Sequence, residues 1–294
     1  MSKVWLITGS SRGLGLSIAK AAIAAGHRVV ATARKPEQLR ELVEARPEQV
    51  RAVALDVADP RAARAAVEAA VSAFGRLDVV VNNAGYANVC SIEDVTDEDF
   101  HAQVATNFFG VVNVTRAALP VLREQRDGHF IQISSIGGRR GSPGLSAYQS
   151  SKFAVEGFSE VLAVETRPLG LRVTIIEPGG FRTEWGGSSM RIDPIHADYE
   201  QTVGAVRGHL RQSQDAGRGD PDKGGEVIVK VAEMKEPPLR LLLGTDALFL
   251  ARMVNEERAA EDAKWAALSA STDFEGVGDF ADTTVAKMLL AMRR

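Results

Sequence analysis

The chain opens with a short apolar run, KVWLIT, followed at once by GSSRGLG and then by LSIAKAAIAAG. The first run is rich in β-branched and aromatic residues, as a buried strand requires, and the last carries apolar residues at helical spacing. Gly9, Gly13 and Gly15 between them permit a tight turn and close backbone approach. A strand that enters a helix this way leaves amide hydrogens at the helix N-terminus, where a pyrophosphate is stabilised. The spacing, TGxxxGxG, departs from the common GxGxxG pattern. Because loops also collect glycine for conformational reasons, the position between first strand and first helix carries the reading.

The same alternation continues along the chain. Strands are expected at Val4–Thr8, Arg28–Ala33, Val50–Leu55, Val79–Asn82, Phe130–Ser134, Arg172–Glu177 and Leu239–Leu243. Helical patterns lie at Leu14–Ala25, Pro60–Phe74, Asp97–Arg126 and Gln149–Arg167. Short, near-continuous apolar strands separated by helices predict an α/β fold: a doubly wound, Rossmann-type parallel sheet of about seven strands with helices on both faces. Ligands in such folds bind beyond the carboxyl ends of the strands. The glycine turn, Asn82–Gly85, Ser135 and Pro178–Thr183 all follow expected strands and so share one rim.

A second constellation lies on that rim. Lys152 follows Tyr148 by four residues in AYQSSK, and Ser135 stands thirteen residues before the tyrosine, after the strand FIQIS. Residues four apart share a helix face, so the phenol and the ammonium converge. A phenol with a pKa near 10 is a poor acid or base at neutral pH, and a fixed cation pulls that value down, which suits the pair to proton transfer. YxxxK alone also arises by accident on helices, and the upstream serine and glycine turn give it weight.

Composition narrows the remaining classes. No linker, repeat or low-complexity tract divides the 294 residues, so one domain spanning 1–294 is expected. A formal charge of −3 with interspersed signs offers no basic patch for nucleic acid or an anionic membrane. The lone Cys90 excludes an internal disulfide, Lys3 leads straight into a strand, and no apolar stretch nears twenty residues. A soluble, cytoplasmic protein acting on small molecules is expected, with no metal site.

Taken in order, TGSSRGLG (Thr8–Gly15), NNAG (Asn82–Gly85), Ser135, Tyr148, Lys152 and EPGGFRT resemble the short-chain dehydrogenase/reductase family, nearest its hydroxysteroid- and retinol-dehydrogenase-like members. The resemblance implies hydride transfer between a nicotinamide cofactor and a carbonyl or secondary alcohol. Tyr148 would carry the proton, Lys152 would lower its pKa and hold the cofactor ribose, and Ser135 would bind the substrate oxygen. Asn107 would hold a water linking the lysine to solvent, with Asn113 a competing candidate. The implied cofactor set is Gly9, Ser11, Arg12, Gly13, Leu14, Gly15, Arg34, Asp56, Val57, Asn83, Ala84, Gly85, Tyr148, Lys152, Pro178, Gly179 and Thr183.

NADP(H) is the expected cofactor. At the end of the second strand, VVATARK, Ala33 stands where an NAD-selecting acid belongs and Arg34 follows, leaving a guanidinium for a 2′-phosphate. Arg12 reads equally as a second phosphate ligand or a solvated side chain. Asp56 reads as an adenine contact or, with Asp59, a turn cap. NNAG is also ordinary turn chemistry.

After Thr183 the pattern loosens, and a mobile substrate lid is expected near 184–219. Trp185 there reads equally as a substrate contact or an anchor, and Cys90 and Phe109 as pocket lining or packing. Helices at Asp246–Ser269 and Thr283–Arg294 form a C-terminal extension that covers the pocket or joins subunits, and the family leads one to expect a homodimer or homotetramer. The alternatives are a catalytically silent NADP(H)-binding redox sensor, and an epimerase or dehydratase, which normally has a longer substrate domain.

Overall fold

The apolar runs become seven parallel strands: β1 Val4–Ile7, β2 Arg28–Ala33, β3 Val50–Ala54, β4 Val79–Asn82, β5 Gly128–Ile133, β6 Leu171–Pro178 and β7 Arg240–Leu243. Their order in the sheet is β3-β2-β1-β4-β5-β6-β7. The computed structural model describes residues 2–183, 190–212 and 217–292. Parallel neighbours need long crossovers, and helices supply them: α1 Gly13–Ala24, α2 Arg40–Ala45, α3 Pro60–Phe74, α4 Asp97–Val104, α5 Gly110–Gln125, α6 Ser146–Thr166, α7 Ala205–Gln212 and α8 Pro221–Glu233. The chain reverses direction across the sheet between β1 and β4, and this switch point opens a crevice at the carboxyl ends of those strands.

Side-chain alternation along each strand builds two cores. Leu6, Val30, Val80 and Phe130 face α3, α5 and α6, where Ala66, Val114 and Leu162 meet them. Trp5, Ile7, Val29 and Ile131 face the opposite side, against Ile18 and Ala22 of α1 and Ile228 of α8. The sheet is therefore covered on both faces, as its predominantly apolar central strands require.

Several elements differ from expectation, among them α2 and α7, the latter a helix within the segment expected as a lid. The helix expected over Asp97–Arg126 is interrupted by a π turn at Ala105–Phe109, between α4 and α5, and the buried Asn107 sits in it. Such turns widen a helix by one residue and are frequent at functional sites. α6 begins at Ser146 rather than Gln149, which places Tyr148 inside its first turn. α8 falls where no helix was expected, because Gly224 and Gly225 weaken the local propensity. Close packing explains those glycines: a Cβ on Gly225 would lie 2.6 Å from Ser17 O of α1, and one on Gly224 2.8 Å from the Phe181 ring.

The chain divides into two compact units, Met1–Ala251, which holds the sheet, and Arg252–Arg294. Helix α9, Thr245–Ala270, begins in the first and continues into the second. The second unit also contains a 3-10 turn at Phe280–Asp282 and α10, Thr284–Met292. Within it Arg252 pairs with Glu256 at 2.8 Å and Trp265 donates to Glu261 Oε1 at 2.7 Å, both one helical turn apart. Among the described residues, no helix is long and apolar enough to cross a membrane.

Candidate active site

The turn after β1 is shaped by two glycines in the left-handed region, Gly9 at φ +65° and Gly13 at φ +54°. Gly15 answers a different need: a Cβ there would lie 2.4 Å from both Gly9 O and Asn83 Nδ2. NNAG thus packs directly on the glycine turn. Thr8 is the clasp between them, its hydroxyl accepting from the amides of Asn83 and Ala84, both at 2.9 Å. Asn83 Nδ2 donates back to Thr8 O at 2.9 Å. Leu14 is tucked against the core, while Ser11 is half-buried and Arg12 exposed.

The N-terminus of α1 is open chemically as well as sterically. Arg12, its extended N-cap, makes no side-chain cap bond, and the first turn carries no acid. Its first amides and the positive end of the helix dipole therefore remain available to an anion. This cradle fits a dinucleotide pyrophosphate. On the far side Thr183 closes in, its Cβ 3.5 Å from where a Gly13 Cβ would stand.

At the outer rim, Ala33 ends β2 buried and Arg34 emerges exposed beside it. Asp56 is exposed, and its carboxylate accepts from the Ala58 amide at 3.0 Å, which makes it a turn cap as well as a candidate contact. Val57 is buried against Gly110. Asn113 is occupied there, donating to Val57 O at 3.0 Å, and does not compete with Asn107. Pro178 ends β6, and the following turn is held by a residue not singled out in the sequence: Asp246 accepts from the Gly180 amide at 2.7 Å. Its carboxylate occupies the space a Gly179 Cβ would need.

The reactive residues meet where β5 ends and α6 begins. Ser135 accepts from the Gly137 amide at 3.0 Å and hydrogen-bonds the Tyr148 hydroxyl. Lys152 donates to Ile133 O at 2.8 Å, and its Nζ lies 5.7 Å from the Tyr148 ring centroid. Asn107 clamps the Tyr86 peptide from both sides, accepting from its amide at 3.0 Å and donating to its carbonyl at 2.8 Å. Gly85 lies between, since its Cβ would stand 3.0 Å from Asn107 Oδ1 and 3.7 Å from Lys152 Nζ. The four residues are thus brought into one small volume.

Burial sets the protonation states. It pushes the Tyr148 pKa up to about 12, with the Ser135 hydrogen bond opposing, and pushes Lys152 down to about 8, with the Glu156 carboxylate opposing. The expected lowering of the tyrosine by the lysine is therefore not seen. Tyr148 is only 7% exposed, and desolvation of a phenolate outweighs the opposing Ser135 hydrogen bond.

Tyr148 belongs to an apolar cluster, the collar, that sequence reasoning did not find. Ala87, Val89, Met190 and Val203 are buried with it, and Ile192 and Ile195 pack alongside. Met190 to Val203 belong to the segment expected as a lid. Its described part is tied down by the Val89–Ile192 bridge, by Arg191 to Asp99 at 3.0 Å and by Tyr199 to Glu93 at 2.7 Å. Trp185 lies outside the described residues. Cys90 is buried beneath Pro194, whereas Phe109 is exposed and packs at a tilt against Phe108.

Residues 3–191 match the family model described as short chain dehydrogenase. The chain is 53% identical over 270 residues to oxidoreductase BOA17 of Botryotinia fuckeliana (strain B05.10), covering 92% of this chain and 98% of that protein. It is 37% identical over 244 residues to a 3-ketodihydrosphingosine reductase of Bacteroides thetaiotaomicron, covering 82% of this chain and 88% of the relative. The solved structure of a short-chain dehydrogenase from Streptomyces avermitilis superposes with a TM-score of 0.86 at 38% identity, covering 92% of this chain and 98% of the other.

Proposed function

Because the chain belongs to the short-chain dehydrogenase family, we propose that it is an NADP(H)-dependent reductase of uncharged, apolar ketones or aldehydes. It is an oxidoreductase that binds a nicotinamide cofactor; NADP(H), the carbonyl and its polarity are our reading. The observation that carries it is the apolar cluster: Tyr148, whose hydroxyl bonds Ser135, is buried together with Ala87, Val89, Met190 and Val203. Burying a charged substituent there without a partner would cost several kcal/mol. The 3-ketodihydrosphingosine reductase among the relatives supports reduction of a keto group, and says nothing for the absence of charge.

When bound, the cofactor supplies the hydride. The glycine cradle and the α1 N-terminus would hold its pyrophosphate, Arg34 and Arg12 its 2′-phosphate, Asp56 and Val57 the adenine end, and Asn83, Ala84 and Gly85 the floor. Lys152 would hold the ribose, and Pro178, Gly179 and Thr183 the carboxamide. Ser135 hydrogen-bonds the substrate oxygen and stabilises the charge that develops on it. Tyr148 then gives that oxygen its proton. A phenol held up at about 12 is protonated at neutral pH, the state a donor needs for reduction. Asn107 shapes the backbone beside Lys152, through which the proton is replaced.

Phe153, Val161 and Val164 leave an exposed apolar stripe on α6, 40%, 56% and 66% accessible, which supports assembly into a homodimer or homotetramer. The silent redox sensor is the weaker reading, because serine, tyrosine and lysine are all present and mutually placed. A series of alkyl methyl ketones with NADPH tests the proposal. kcat/KM should rise about fourfold per added methylene, since each buried CH2 contributes about 0.8 kcal/mol, until the pocket is full. A 2-keto acid of equal length should be far slower. Equal rates for the charged and uncharged compounds would sink the assignment of an apolar pocket.

A further inference from the structure

Three consecutive residues at the end of β5 meet three successive turns of α6. Ser135 bonds Tyr148, Ile133 O accepts from Lys152, and Ser134 faces Glu156, one turn further on. Ser134 Oγ and Glu156 Oε1 lie 2.8 and 3.2 Å from the point where a Gly138 Cβ would stand, so the absent side chain makes room for both. Both oxygens are enclosed and lack a well-aligned partner. Glu156 is 8% exposed and Lys152 4%. A buried ammonium whose contact is a neutral carbonyl needs a counter-charge.

The surrounding ion pairs leave Glu156 to supply it. Arg139, after β5, binds Glu177 at the end of β6 through two bonds of 2.5 and 2.6 Å, and Glu156 acts on Arg139 more weakly. Arg240, at the start of β7, reaches Glu156 Oε2 at 3.1 Å but also pairs with the more exposed Glu160. Three cations, Arg139, Arg240 and Lys152, thus face three acids, Glu177, Glu160 and Glu156. The π turn and the segment after β4 present only Asn107 and Gly85 here, and Asp99 of α4 is engaged by Asn88 and Arg191.

We propose that Glu156 is a positioning residue for the Tyr148–Lys152 pair, its carboxylate anchoring α6 at Ser134 and Arg240 and supplying the counter-charge that keeps Lys152 an ammonium. Its effect reaches the substrate only through the pair. A negative charge nearby raises the affinity of Lys152 for its proton, in opposition to burial. Burial and Glu177 also raise the Glu156 pKa, while Ser134 and Arg240 oppose them.

The inference rests on the catalytic reading of Tyr148 and Lys152, so its test reads the coupling without turnover as well as with it. NMR titration of the lysine side chains in protein without added cofactor gives the Lys152 pKa. Glu156→Gln should lower it by at least about half a unit, as a charge roughly one helical turn away does at an effective dielectric near 20. Glu156→Asp should restore most of it. In the reduction assay, the limb that falls as the pair loses its proton should move to lower pH in Glu156→Gln by the same amount. An unmoved Lys152 pKa, or a uniform loss of rate at every pH with the limb in place, makes Glu156 merely structural. If Glu156→Gln does not fold, carboxyl NMR of the wild type decides: Glu156 must be ionised while Lys152 titrates, and a protonated Glu156 overturns the inference.

Discussion

Tyr148→Phe should lower kcat for carbonyl reduction by at least about a hundredfold while leaving NADPH affinity within about twofold, because general acid catalysis contributes on that scale and the ring itself is retained. The substitution removes the hydroxyl and its bond to Ser135, and the phenyl ring stays in the cluster with Ala87, Val89, Met190 and Val203. Thermal unfolding should shift little. Turnover at near wild-type rate would take Tyr148 out of the chemistry, and a matching loss of NADPH affinity would show that the residue acts by shaping the cofactor site instead.

That experiment targets residues legible in the sequence, and the reason is physical. The glycine turn, NNAG and the Ser135–Tyr148–Lys152 spacing are local patterns whose geometry follows from a strand end or a helix repeat, and the structure places them on the rim expected for them. The parallel sheet was legible for the same reason, since strands buried on both faces are predominantly apolar. Long-range pairings were not. The Thr8 clasp onto Asn83 and Ala84, the Asp246 grip on Gly180 and the collar around Tyr148 join residues far apart in sequence.

Two of the misses did leave a signal. α8 was hidden by Gly224 and Gly225, yet Asp220 followed by Pro221 announces a helix start, and the Asp220 carboxylate does accept from the Asp222 amide at 2.9 Å. Glu156 continues the four-residue step from Tyr148 through Lys152, a repeat visible in the sequence. Its partners, Ser134 and Arg240, were not. The rise in the Tyr148 pKa is a consequence of burial and could be weighed only once the collar was in place.

The second large effect concerns the cofactor. Ala33 is the last residue of β2 and Arg34 stands exposed next to it, so a carboxylate introduced at 33 and a guanidinium removed at 34 act on the same expected 2′-phosphate. A charge-assisted bond of this kind contributes about 1.5–3 kcal/mol, or roughly ten- to a hundredfold in affinity. Wild type should bind NADPH more tightly than NADH by that margin. Ala33→Asp and Arg34→Ala should each weaken NADPH and leave NADH equal or improved, as fluorescence titration at fixed ionic strength will show. An unchanged NADPH:NADH ratio in both variants would remove these positions from cofactor selection.

The central claim is that this chain moves a hydride from NADPH to an apolar carbonyl, with Tyr148 completing the alcohol. Label transfer tests it most directly. NADPH carrying deuterium at nicotinamide C4, on the face that the enzyme uses, is mixed with a long-chain methyl ketone, and the product is read by mass spectrometry. The account predicts one deuteron on the former carbonyl carbon per NADPH consumed, in wild type and, far more slowly, in Tyr148→Phe. NADPH that binds tightly to wild type but stays unoxidised across uncharged ketones and aldehydes would contradict the account and leave the chain a cofactor-binding sensor.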